Sequence, residues 1–122
     1  MIPRNKILLG ALIAFLLVAI LIFRPVPLPP EEDCLVVTGV VTEIYENKGY
    51  DVIFKLKDNP RLYYVNRGTQ RGIDLHAIQQ RLLNQPVTFK YPRYWTPLDW
   101  NNTVRHLSKI IHNGETVFTE IG

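Results

Sequence analysis

RGIDLHAIQQRLLNQPVTFKY, residues Arg71 to Tyr91, decides the fold, because the hydrophobic period changes inside it. Ile73, Leu75, Ile78, Leu82 and Leu83 recur at helical spacing, which gives one helix a single apolar face. Asp74 stands where an N-cap belongs, and Asn84-Gln85-Pro86 ends the run, since proline cannot continue a helix. Val87, Phe89 and Tyr91 then alternate with Thr88 and Lys90, the period-two mark of a half-buried strand. One short helix therefore interrupts a chain that is otherwise β-forming on both sides.

Upstream, Thr38 to Tyr45 is rich in β-branched residues, with Gly39 placed where a strand would bulge or bend. Glu46-Asn47-Lys48-Gly49 reads as a turn, after which Tyr50, Val52, Phe54 and Leu56 alternate with Asp51, Lys55 and Lys57. Asp58-Asn59-Pro60 turns the chain into Leu62-Tyr63-Tyr64-Val65, completing a three-stranded meander. Downstream, Val104 to Ile111 and Thr116 to Ile121 flank His112-Asn113-Gly114-Glu115. Asn-Gly between two apolar runs predicts a hairpin, because a type I′ turn needs positive φ at both central residues. The expected order is β-β-β-α-β-β-β, counting one strand beyond a five-stranded barrel.

That order resembles the OB-fold, a small Greek-key barrel whose helix sits between the third and fourth strands. The resemblance covers most of Leu35 to Ile121 and rests on element order, on Thr38-Gly39-Val40-Val41 and on Asn66-Arg67-Gly68 before the helix. It departs by one extra C-terminal strand and by the long loop from Pro92 to Asn102. The whole chain also looks like small single-pass bacterial membrane proteins of uncharacterised function. The resemblance implies binding of oligonucleotides, oligosaccharides or proteins, and it transfers no functional residue.

Ile7 to Phe23 is a run of seventeen residues without a charged or polar side chain, thirteen of them Leu, Ile, Val or Phe. A helix of that length rises about 25 Å, and Lys6 and Arg24 at its ends can snorkel to cover the remainder of a bilayer core. Proline-rich sequence follows where small residues would mark a signal cleavage site, so the segment reads as an uncleaved anchor. Arg4 and Lys6 before it, against Glu31, Glu32 and Asp33 after it, place the N-terminus in the cytoplasm and the rest across the membrane. Periplasm is the destination if the cell is Gram-negative. The expected division is an anchor over 1–24, a linker over 25–33 and one domain over 34–122. Gly10 and Ala14 form a small-xxx-small pair of the kind that lets helices approach.

The linker's alternating and doubled prolines predict a polyproline rod holding the domain roughly 30 Å from the bilayer. The net charge of +3 resides in Arg4, Lys6 and Arg24; from Glu31 onward eleven basic side chains balance eleven acidic ones. A nucleic-acid partner is thereby disfavoured, since such domains concentrate a basic surplus on one face. Cys34 is the only cysteine, so no internal disulfide braces the fold, and burial in the first strand is its expected state.

Two stretches are candidate binding surfaces. Tyr91-Pro-Arg-Tyr-Trp-Thr-Pro-Leu-Asp-Trp100 holds both tryptophans, and Arg93, Tyr94, Trp95 and Trp100 could stack a sugar, a base or a partner's side chain. The more ordinary role for these rings is to fold back and plug the core, and contact with the membrane interface is a minor third reading opposed by the linker length. Arg67-Gly68-Thr69-Gln70-Arg71-Gly72 precedes the helix, where Arg67 and Arg71 with free N–H groups could meet an anion. It matches neither a P-loop nor a dinucleotide fingerprint. His106, Ser108 and Asp99 lack the orienting third group and nucleophile elbow of a hydrolase, and no metal or cofactor motif is present. The expectation is a non-enzymatic, membrane-anchored binding or scaffold module, with a protein partner, for a membrane or envelope assembly. A glycan or single-stranded nucleic-acid binder and a purely structural subunit are the alternatives.

Overall fold

The computed structural model describes residues 3–25 and 28–121. Arg4–Phe23 form a twenty-residue helix, α1, which rises about 30 Å and has no fully buried side chain, only Ala19, Leu21 and Ile22 near its end being partly covered. It is long and apolar enough to cross a membrane. Glu31–Asp33 make a single tight turn, and the chain then enters a seven-stranded mixed sheet. Its strands are β1 (Leu35–Glu46), β2 (Val52–Leu56), β3 (Leu62–Val65), β4 (Pro86–Tyr91), β5 (Val104–His106), β6 (Lys109–His112) and β7 (Glu115–Thr119). Helix α2 (Leu75–Leu82) lies between β3 and β4, as the change of period predicts.

Strand β1 belongs to two neighbourhoods. Its first half, Leu35 to Val40, pairs antiparallel with β4, and its second half, from Val41, pairs antiparallel with β2. The irregularity that lets it turn lies between Val41 and Glu43, two residues past the glycine. Gly39 instead sits in a close approach: a Cβ there would stand 3.1 Å from the Leu56 side chain, which would have to shift by a few tenths of an ångström. Strand β3 pairs with β2 on one side and, in parallel, with β5 on the other. The spatial order is β5-β3-β2-β1-β4-β6-β7.

The ladder runs from β5 to β7 without closing, which corrects the expected small, partly open barrel to an unclosed sheet. The physical cause is a break in what the sequence reads as one strand over Val104 to Ile111. At Leu107 and Ser108 the chain leaves both ladders: Leu107 N–H donates to the Tyr64 carbonyl of β3, and Ser108 N–H donates to the Lys90 carbonyl of β4. One expected strand thus becomes β5 and β6, on opposite flanks of the sheet order. The Asn113-Gly114 hairpin forms as expected, with φ of 51° and 76°.

The core is aromatic at its centre. Tyr63, Phe54 and Phe89 are fully buried, with ring centroids 5.3 Å apart for Tyr63–Phe89 and 5.6 Å for Phe54–Phe89. Asn59 donates to the Tyr63 hydroxyl, so the one polar atom that these three rings carry inward is satisfied. Helix α2 adds Ile78 and Leu82, is capped by the Asp74 carboxylate accepting from Ala77 N–H, and is pinned to β1 by Gln79 donating to the Ile44 carbonyl.

Candidate functional site

The linker does not behave as a free rod. Glu31 Oε1 accepts from Lys90 Nζ at 2.7 Å and from Lys109 Nζ at 2.9 Å. Those lysines face each other directly across β4 and β6, where like charges repel, and the carboxylate neutralises both. The two lysine bonds hold the Glu31 carboxyl down at about 2. Cys34 is half-buried, its thiol donating to the Pro30 carbonyl at 3.7 Å, and burial raises its pKa. Val26 and Pro27 of the expected rod lie outside the described residues.

A second tie reaches further back. Arg24, one residue beyond α1, donates from its guanidinium to the Trp95 carbonyl at 2.9 Å. Its own carbonyl accepts from the Tyr94 hydroxyl at 3.0 Å, and its guanidinium lies 4.9 Å from the centre of the Tyr94 ring. The aromatic loop therefore docks on the end of the apolar helix, and the expected stand-off of about 30 Å is corrected to direct contact between the domain and the residue that follows α1.

Within the loop, Trp95 is half-buried and Trp100 is 70 % exposed. Trp95 donates its indole N–H to the Trp100 carbonyl, and the rings meet edge to face at 5.0 Å. The reading in which the tryptophans plug the core is corrected by this geometry, because Tyr63, Phe54 and Phe89 already fill that volume. Asp99 closes the loop: its carboxylate accepts from the Thr103 N–H, the Thr103 hydroxyl and the Val104 N–H. Burial works to raise the Asp99 pKa, but these bonds outweigh it and the carboxyl is lowered. Arg93 is exposed beside them.

Arg67 and Arg71 are placed differently from an anion site. Arg67 has φ 50°, its N–H held by Asp51, and its neighbour Gly68 is buried where a Cβ would stand 2.7 Å from Val52. Arg71 pairs with Glu120 at 3.3 Å and lies over the Phe118 ring. At the start of α2 the Ala77 N–H donates to the Asp74 carboxylate, which stands where an anion would need to sit.

Sequence reasoning missed Glu120. Its side chain is 6 % exposed and hydrogen-bonded to His106, itself 10 % exposed, while Arg71 approaches from the other side. Desolvation raises the Glu120 pKa, but the bonds and charges of His106 and Arg71 prevail and lower it. His106 also meets the Tyr64 ring edge to face at 5.4 Å. The signal was available: in Thr116, Phe118 and Glu120 a carboxylate occupies a face shared with an aromatic residue, and such a group needs a partner.

Two concave surfaces flank this cluster. One, lined by Tyr64, Pro92, Tyr94, Asp99, Arg105 and His106, holds about 120 Å³ under the aromatic loop. The other is a wider groove of about 400 Å³ over Tyr45, Asp51, Ile53, Tyr64, Asn66 and Val104. Among the described residues no group of three or more His, Cys, Asp or Glu side chains is placed to hold a metal. No known family model, curated protein or solved structure matches this chain.

Proposed function

We propose that this chain is a single-pass membrane protein, its N-terminus cytoplasmic and its β domain extracytoplasmic, acting as a binding or scaffold module of a larger membrane or envelope assembly. The observation that carries the reading is the tie of Arg24 to the Trp95 carbonyl and the Tyr94 hydroxyl. It fixes the domain against the end of an apolar helix, which a scaffold needs and a freely diffusing binder does not.

We further infer an OB-like domain. Support comes from the helix between β3 and β4, from β1 shared between β2 and β4, and from the parallel pairing of β3 with β5. The bonds from Leu107 to β3 and from Ser108 to β4 bring the two flanks of the sheet to one short segment. In that architecture the β2–β3 face, between the first turn and the loop before the last strand, is where ligands bind. Here that face is the groove of Tyr45, Ile53, Tyr64, Asn66 and Val104, and a partner's apolar side chains with a few hydrogen bonds would fit it. The role is non-catalytic: His106 is committed to Glu120 and, among the described residues, has no nucleophile bonded to it.

A photo-reactive residue at Asn66, tested in native membranes, should give one discrete protein adduct that Tyr64→Ala abolishes. The same probe at exposed Lys57, off the groove, should give none. Equal labelling from both positions would refute the groove as the contact. A glycan is the second reading, favoured by the Tyr45 and Tyr64 rings in the groove; it would show as salt-insensitive binding to oligosaccharide.

A further inference from the structure

Both tryptophans, an exposed leucine and three arginines gather at the end of α1. Leu98 and Trp100 project from the loop at 73 % and 70 % exposure, an apolar pair with no partner in the chain's own core. Beside them lies an open depression of about 390 Å³ lined by Arg24, Arg93, Arg105, Tyr94, Trp95 and Asn102, with no acidic side chain in its wall. Arg105 is held there by donating to the Tyr94 carbonyl at 3.0 Å and by stacking over Tyr91, and its Nε is buried without a partner. Arg24 is fixed by the bonds already described, and Arg93 is exposed.

The location decides what such a surface meets. Arg24 follows directly on Phe23, the last residue of α1, and it is bonded to the loop itself. If α1 crosses the bilayer, the loop lies at headgroup depth, where tryptophan rings are favoured and a guanidinium cluster meets phosphate. A depression with fixed cations, aromatic walls and an apolar pair beside it matches a lipid in its parts: phosphate for the arginines, acyl chain for Leu98 and Trp100.

Resting on the single-pass reading above, we propose that the loop over 92–103 is a membrane-interface anchor: Leu98 and Trp100 enter the interface, and Arg24, Arg93 and Arg105 hold the phosphate of an anionic lipid. The loop then fixes the tilt of the domain on its helix and leaves the groove over Tyr45 and Tyr64 free for a protein.

The chain carries its own reporter, since Trp95 and Trp100 are its only tryptophans. Full-length protein is reconstituted into mixed vesicles of phosphatidylcholine and phosphatidylglycerol, with bromine carried on the acyl chains of one lipid or the other. Retention after an alkaline wash tests the helix; tryptophan quenching tests the loop. The expected result is retained protein with blue-shifted emission, quenched by brominated lipid, and more strongly by brominated phosphatidylglycerol. Trp95→Phe should keep most of the quenching and Trp100→Phe should lose most of it. Arg93→Gln, at an exposed position, should lower the preference for phosphatidylglycerol about fivefold. Retained protein whose tryptophans answer to aqueous iodide and not to brominated lipid overturns the proposal while leaving the anchor intact. Protein washed off the vesicles overturns both. Loss of the phosphatidylglycerol preference to inorganic phosphate, at matched ionic strength, would assign the arginines to a free anion and overturn the lipid assignment.

Discussion

The Tyr94 hydroxyl donates to the Arg24 carbonyl at 3.0 Å, and the Arg24 guanidinium covers the Tyr94 ring, so the two residues grip each other across seventy positions of sequence. Removing the ring should release the loop without unfolding the sheet, because neither residue lies in the core. Tyr94→Ala is expected to lower stability by only about 1 kcal/mol. Amide exchange over 93–102 should rise markedly, with exchange in β1 and β4 unchanged. Equal loss of protection in the strands would place Tyr94 in the core.

The clasp formed by Glu31 has a defined pH signature. The Glu31 carboxyl is lowered from 4.5 to about 2 by its bonds to Lys90 and Lys109. A carboxyl depressed in the folded state stabilises the fold above its unfolded pKa, and that contribution fades as pH falls through the folded one. Thermal melts of the wild type and Glu31→Gln should therefore differ by a constant amount above pH 4.5 and converge towards pH 2. A difference independent of pH over that window would mean that Glu31 is free in solution.

His106 and Glu120 should be strongly coupled. Truncating Glu120 to Ala leaves His106 without its bond in a nearly buried site, at a cost of about 2 kcal/mol or more in urea denaturation. A double-mutant cycle with His106→Ala should return a coupling of about 1 kcal/mol or more. Additive effects would show that the contact contributes nothing.

Gly68 tests the turn before α2. A Cβ at this position would stand 2.7 Å from Val52 Cγ2, a core atom with little room to move. Gly68→Ala should cost about 1–3 kcal/mol, whereas Gly10→Ala, with open space around it, should leave the domain's melt unchanged.

What could be read from sequence follows from range. The period change at Arg71 to Tyr91, the Asp74 cap and the Asn113-Gly114 turn are local, and each forms as read. The alternation of Val52, Phe54 and Leu56 also holds, although Ile53 on the other face is buried too, at the floor of the groove beside Tyr45 and Tyr64. The break at Leu107 and Ser108 left no local mark: no glycine or proline stands there, and the bonds that cause it go to Tyr64 and Lys90. Composition suggests that tryptophan fills a small core, but which rings do so depends on strand register, and register brings Tyr63 and Phe89 together. Likewise Arg93, Tyr94, Trp95 and Trp100 were recognisable as an unusual loop, while its docking on Arg24 was not. Arg71 looked available because its partner, Glu120, is distant in sequence, whereas at Arg67 only the backbone N–H is taken, by Asp51, and the side chain is exposed.

The central claim is that α1 crosses a membrane and leaves the domain on the outer side. In a Cys34→Ser background, Thr116→Cys, exposed on the edge strand β7, gives a single accessible thiol. Labelling of intact cells with a membrane-impermeant maleimide should modify Thr116→Cys fully, with no increase on permeabilisation. Labelling that appears only after the membrane is opened would contradict the account.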